Sequence, residues 1–128
     1  MNNSPDATEL LAIARATLLD KLLPRLPEDL RYTALMIANA LAIASREYAA
    51  GDEPAQTELA RLRELFADSK KDLSGAALET ALTGYNRRLV TEIRGGRFDG
   101  KERAALLDHL GRTSTDALAI SNPRALQT

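Results

Sequence analysis

Apolar residues recur at intervals of three and four along most of the chain, the spacing that gathers them on one face of an α-helix. The first such run is Leu11, Ala14, Leu18 and Leu22, widened by Leu10, Leu19 and Leu23. Ser4 or Asp6 is expected to open it. Pro5 suits a first helical turn, and Asp6 with Glu9 makes a D-x-x-E capping box. Pro24 should close it, because the residue before proline avoids helical geometry.

The second run spans Glu28 to Ala50, with Gly51 as its C-terminal cap. One side carries Ala34, Ile37, Ala38, Leu41, Ser45 and Tyr48; the other carries Tyr32, Met36, Asn39, Ile43 and Arg46. A helix apolar on nearly all sides is expected to be buried on nearly all sides. It is therefore either the central helix of the fold or has its second face against another subunit.

A third helix is expected from Asp52-Glu53-Pro54 to about Ala67, with the stripe Ala55, Leu59, Leu62 and Phe66. Arg61, Arg63 and Glu64 fall off that stripe and mark an outer helix. Asp68 to Asp72 reads as a polar, mobile loop. The fourth helix starts near Ser74 and holds Leu78, Leu82, Tyr85, Leu89 and Ile93 in period up to Gly95-Gly96. Gly84 interrupts it at a cost of about 1 kcal/mol relative to alanine, which predicts a kink or a closely packed neighbour. Asp99 and Glu102 form a box for the last helix, with Leu106, Leu110, Thr113, Ala117 and Ile120 as its stripe and Ser121-Asn122-Pro123 as its end. Short connections make successive helices antiparallel neighbours. The pattern predicts an all-α fold, an antiparallel bundle of about five helices in a single domain over residues 1–128.

Composition agrees and narrows the chemistry. Aromatics are 4% of the 128 residues, so the core is expected to be Leu, Ala and Ile. There is no cysteine, which excludes disulfides, thiolate metal sites and cysteine nucleophiles. A net charge of −1 gives no global attraction to nucleic acid or an anionic membrane. The N-terminus lacks the basic-then-apolar pattern of a signal peptide, and the longest nearly apolar run, Ala34 to Ala44, is too short to span a bilayer. A cytoplasmic location is the expectation.

No catalytic set emerges. His109, the single histidine, falls beside the apolar positions of the last helix and is expected at the surface or a boundary, with Asp108 pointing elsewhere. Glu28-Asp29 and Asp52-Glu53 sit at helix starts, where they complement the dipole. No E-x-x-H pair, nucleophile elbow or P-loop is present. The chain is expected to be no enzyme, with no cofactor and no metal.

Binding is the remaining chemistry. Arg94-Gly-Gly-Arg-Phe-Asp-Gly-Lys-Glu-Arg103 joins glycines, four basic residues and a helix start, a place where an anion could sit through Arg94 and Arg97. Residues 85–128 hold eight basic and five acidic residues, a local +3; the remainder holds nine against thirteen, or −4. Capping by Gly95 and Asp99, with solvated arginines, explains the same stretch more simply. Asn39 lies within the most apolar helix, where a buried amide needs partners. Asn86 and Asn122 sit beside Tyr85 and at the end of the last helix. All three asparagines are expected to be structural, with a polar recognition patch as the other possibility.

Several stretches together resemble a family of short bacterial proteins of unknown function. They are P-D-A-x-E-L-L at Pro5 to Leu11, A-N-A-L-A-I at Ala38 to Ile43 with Arg46-Glu47, N-R-R-L-V-T-E-I-R-G-G at Asn86 to Gly96, and S-N-P-R at Ser121 to Arg124. The resemblance implies an all-helical protein whose gene lies beside phosphotransferase-like small-molecule kinases and acyl-CoA dehydrogenases. It therefore implies an accessory role near acyl-CoA or phosphotransferase metabolism, and it carries no catalytic residues.

Three readings follow. The first is a non-enzymatic accessory protein that binds a kinase-like or dehydrogenase partner. The second is a bundle holding an acyl or phosphate-bearing ligand in a cavity lined by Tyr32, Asn39, Arg46 or Asn86. The third is a homo-oligomer joined through exposed apolar surface. Nucleic acid is not an expected partner, because the basic excess is local and aromatics are scarce.

Overall fold

Asp6 accepts a hydrogen bond from the Glu9 backbone N–H at 2.9 Å and so caps the first helix, α1 (Ala7–Thr17), as its capping box predicts. The structure, a computed structural model, describes residues 6–69 and 72–127. The expected contributions of Ser4 and Pro5 lie outside the described residues, as does part of the loop expected to be mobile. After Thr17 the chain widens into a π-turn, Leu18–Leu22, and then tightens into a 3₁₀ turn, Leu23–Arg25. Pro24 explains the change, because it has no N–H to give the preceding turn and its ring clashes with the carbonyl four residues back. Leu23 instead donates its N–H to the carbonyl of Leu18.

The second helix, α2, runs Glu28–Ala50 and stops at Gly51, whose φ of 59° and ψ of −141° suit glycine alone. The others are α3 (Glu53–Leu65), α4 (Gly75–Arg94) and α5 (Arg103–Ser121), followed by a 3₁₀ turn, Pro123–Leu126. Among the described residues there are five α-helices and no strand, so the protein is all-α, as the periodicity predicts. The last helix begins at Arg103, later than the Asp99–Glu102 box suggests, because residues 95–102 form successive turns. Space around Gly84 is open and α4 runs on through it, so that glycine marks no close packing.

The chain divides into two compact units, Met1–Gly51 with Ile120–Asn122, and Asp52–Ala119 with Pro123–Thr128. In the first unit α1 packs on α2. The only residues of α2 that are buried are Ala34 and Ala38, one turn apart, and Arg15 Nε donates to the Ala38 carbonyl at 3.2 Å. Within the chain this rules out α2 as a central helix covered on nearly all sides, the first of the two expected alternatives. Two small side chains make the contact face, while Tyr32, Leu35, Met36 and Ile37 stay exposed.

The second unit is built on Leu62, Phe66, Leu89, Phe98 and Leu106, flanked by Leu65, Leu82 and Tyr85. Both phenylalanines of the chain are here, so the core is less purely aliphatic than composition suggests. Phe66 stacks on Tyr85 at 5.9 Å and meets Phe98 edge-on at 6.4 Å. The predicted stripe of α3 is buried at Leu59, Leu62 and Phe66. Of the residues expected to mark an outer face, Glu64 is exposed, but Arg63 is buried and Arg61 nearly so.

Both α3 and α4 end in the same six-residue turn. Asp68 N–H bonds the Arg63 carbonyl at 2.8 Å and Ala67 N–H that of Glu64 at 3.1 Å. Arg97 N–H bonds Glu92 and Gly96 N–H bonds Ile93, each at 3.1 Å. These are the paired bonds of a Schellman cap, which needs a left-handed residue at its corner. Gly96 takes that corner on α4 at φ 86°; on α3 an alanine takes it, Ala67 at φ 55°.

Candidate functional site

His109 is buried in the second unit, 3% exposed, which corrects its expected place at the surface or boundary. The buried face of α5 carries Leu106 and His109 and continues through the half-buried Thr113 and Asp116. That face is rotated by about one residue from the expected stripe, so Leu110 is exposed. Arg61 on α3 meets this face of α5. Its Nε donates to His109 Nδ1 at 3.3 Å, its Nη2 donates to Thr113 Oγ1 at 3.2 Å, and Asp116 Oδ2 lies 3.6 Å from the same Nη2. A cation that is mostly out of water needs such partners.

Burial lowers the pKa of His109, and the Arg61 charge beside it adds to the effect; Glu58 and Asp108 oppose it. The imidazole is therefore neutral near pH 7. With Nδ1 accepting from Arg61, the ring proton sits on Nε2.

An open cleft of about 370 Å³ lies against this cluster, lined by Arg61, Glu64 and Leu65 of α3 and by Glu102, Ala105, Asp108, His109 and Arg112 at and along α5. Arg112 Nε holds Asp108 at 3.0 Å, and Glu102 is held by Arg97 Nε at 3.3 Å.

A second polar cluster surrounds Phe66. The guanidinium of Arg88 lies 4.0 Å from the ring centroid and that of Arg97 lies 5.0 Å from it, with Arg97 also 5.6 Å from Phe98. Tyr85 donates its hydroxyl to Asp68 at 2.5 Å, and Arg88 bonds the same carboxylate at 3.4 Å. The Asp68 bond raises the Tyr85 pKa, with some help from burial.

The residues singled out from the sequence fall in two places. Tyr32, Asn39 and Arg46 lie two turns apart along one side of α2, about a third of a turn around the helix from Ala34 and Ala38. Tyr32 and Asn39 are exposed, so Asn39 is not the buried amide the apolar run suggested. Arg46 is half-buried and its Nε donates to the Ile120 carbonyl at 2.6 Å. Asn86, Arg94 and Arg97 belong to the second unit. Asn86 is exposed and bonds Glu58 at 3.4 Å, and Arg94 lies exposed in the last turn of α4. Arg97 bonds Glu102 and also the Leu65 carbonyl, at 3.4 Å. That guanidinium closes the Phe66 cluster from above and is already partnered.

Among the described residues no three carboxylate or imidazole groups gather as a metal would require. No helix among them is long and apolar enough to cross a membrane.

The fold and its polar clusters thus define an all-α protein with a buried histidine–arginine pair beside an open cleft. Residues 24–125 match a protein family described as a domain of unknown function, DUF6285, and the chain belongs to that family. Comparison with curated proteins and with solved structures yields no match.

Proposed function

We propose that the protein is a non-enzymatic accessory protein that works by binding another protein, with the outer face of α2 as the contact. The observation that supports this is the exposed apolar surface of the first unit. From Thr33 to Ser45 the helix carries no charged residue. Yet Leu35, Met36 and Ile37 are about half exposed and Tyr32 is 71% exposed. On α1, Leu10 and Ile13 are exposed as well. Uncharged apolar faces of this extent are costly in water and typical of surfaces that meet a partner. Tyrosine and methionine are among the residues that interfaces favour.

The family resemblance directs the choice of partner to a phosphotransferase-like kinase or an acyl-CoA dehydrogenase. The test is co-expression of the chain with each enzyme from the same organism, followed by sizing with light scattering. A stable mixed complex is expected, and Met36→Glu should separate it while leaving helicity unchanged. A chain that elutes alone beside both enzymes would contradict the proposal.

A second reading, a helical protein that holds a small ligand, draws on the cleft between α3 and α5. Its lining argues against a phosphate-bearing ligand, since three carboxylates face two guanidiniums there.

A further inference from the structure

Three groups at the α3–α5 cleft have polar atoms that the protein itself does not use. His109 Nδ1 is taken by Arg61, so the Nε2–H must find its acceptor elsewhere, and none exists among the described residues. Yet no buried side-chain nitrogen or oxygen among the described residues lacks a partner. Nε2 therefore reaches solvent, and His109 is one of the residues that line the cleft. Arg61, which also lines the cleft, spends Nε and Nη2 on His109, Thr113 and Asp116, and its Nη1 is the nitrogen those contacts leave over. Glu64 is the third group. Of the three carboxylates in the lining, Asp108 is paired with Arg112 and Glu102 with Arg97. Glu64 has no ion-pair partner among the described residues.

The placement follows from helical spacing. Arg61, Glu64 and Leu65 share one face of α3, and Ala105, His109 and Arg112 share one face of α5. Each wall is thus a rigid helix surface. An imidazole, a guanidinium and a carboxylate with no ion-pair partner among the described residues line the same cleft.

We infer that this cleft binds a small zwitterion, a molecule bearing one carboxylate and one protonated amine. The carboxylate is held by His109 Nε2–H and Arg61 Nη1, and the ammonium faces Glu64. The lining holds two arginines and three carboxylates, so a multiply charged anion such as phosphate is repelled where a zwitterion is balanced. A volume of about 370 Å³ suits a molecule of a few heavy atoms to a small amino acid. This inference is independent of the α2 docking face.

The chain has one histidine, so a long-range ¹H–¹⁵N spectrum shows a single imidazole, and that imidazole is His109. The full chain is titrated at pH 7.5 with glycine, β-alanine and γ-aminobutyrate, with propionate, propylamine and inorganic phosphate as single-function controls. At least one zwitterion should shift the Nε2 resonance saturably and bind about tenfold tighter than propionate, the difference expected for one added charged contact. Glu64→Gln, at an exposed position, should bring that zwitterion down to the affinity of propionate. The inference is overturned if no zwitterion gives a saturable shift, if phosphate or propionate binds as tightly, or if Glu64→Gln changes nothing.

Discussion

His109 is a buried histidine with an arginine hydrogen-bonded to its ring. Its pKa is lowered in the folded protein, first by burial and then by Arg61. In the unfolded chain it would titrate near the ordinary histidine value of about 6.5. Below that pH the unfolded state binds a proton that the folded state refuses, so stability falls as the solution is acidified. The groups facing the ring are Arg61 and Glu58 on α3 and Asp108 on α5. The melting temperature should therefore drop between pH 7.5 and 5.5, and His109→Gln should flatten that slope. A slope unchanged in the variant would assign the pH dependence to other groups. Arg61→Ala removes the donor to two partners and the counter-charge of a third. It should cost about 2–4 kcal/mol in denaturant unfolding. At the end of α3, Ala67 holds a left-handed corner that Gly96 fills on α4. Ala67→Gly should stabilise by about 0.5–1 kcal/mol, the relief of a left-handed alanine less the extra freedom gained by the unfolded chain.

At the level of elements, the helices were legible where they are written twice, in period and in ends, as α2 is and the start of α5 is not. The α2 boundaries at Glu28 and Ala50 follow from Pro27 before it and Gly51 after it. What periodicity did not carry is which side of a two-faced helix meets its neighbour. In α2 the contact face is the one with Ala34 and Ala38, because small side chains let backbones approach, while the larger residues opposite stay in water. The candidate cleft was illegible for a related reason. Arg61 looked like an outer-face cation and His109 lay one position off the expected stripe of α5. Only their approach across 48 residues of sequence makes a pair of them. A polar residue at the edge of an apolar stripe was the available signal, and it pointed to Arg61 and His109 together only once α3 and α5 were known to pack. The core should respond accordingly. Leu62 is fully buried, and Leu62→Ala should cost about 2–5 kcal/mol. Leu35→Ala, on the exposed face of α2, should change stability by no more than about 0.5 kcal/mol. Gly84→Ala, with open space around it, should stabilise α4 by about 1 kcal/mol.

For the whole molecule, a single property ties the account together: a stretch of thirteen residues in α2 without a charge, in a chain where 27% of residues are charged. That stretch has apolar side chains on the outside, and the proposed role for them is to meet a partner protein. Hydrogen–deuterium exchange, run on the chain alone and on the chain mixed with each proposed partner, a phosphotransferase-like kinase and an acyl-CoA dehydrogenase, measures this directly. The account predicts slowed exchange of the α2 amides over residues 33–45 on addition of one partner, with α3 to α5 unchanged. Equal exchange over residues 33–45 in the presence of both enzymes, or protection confined to α3–α5, would contradict it.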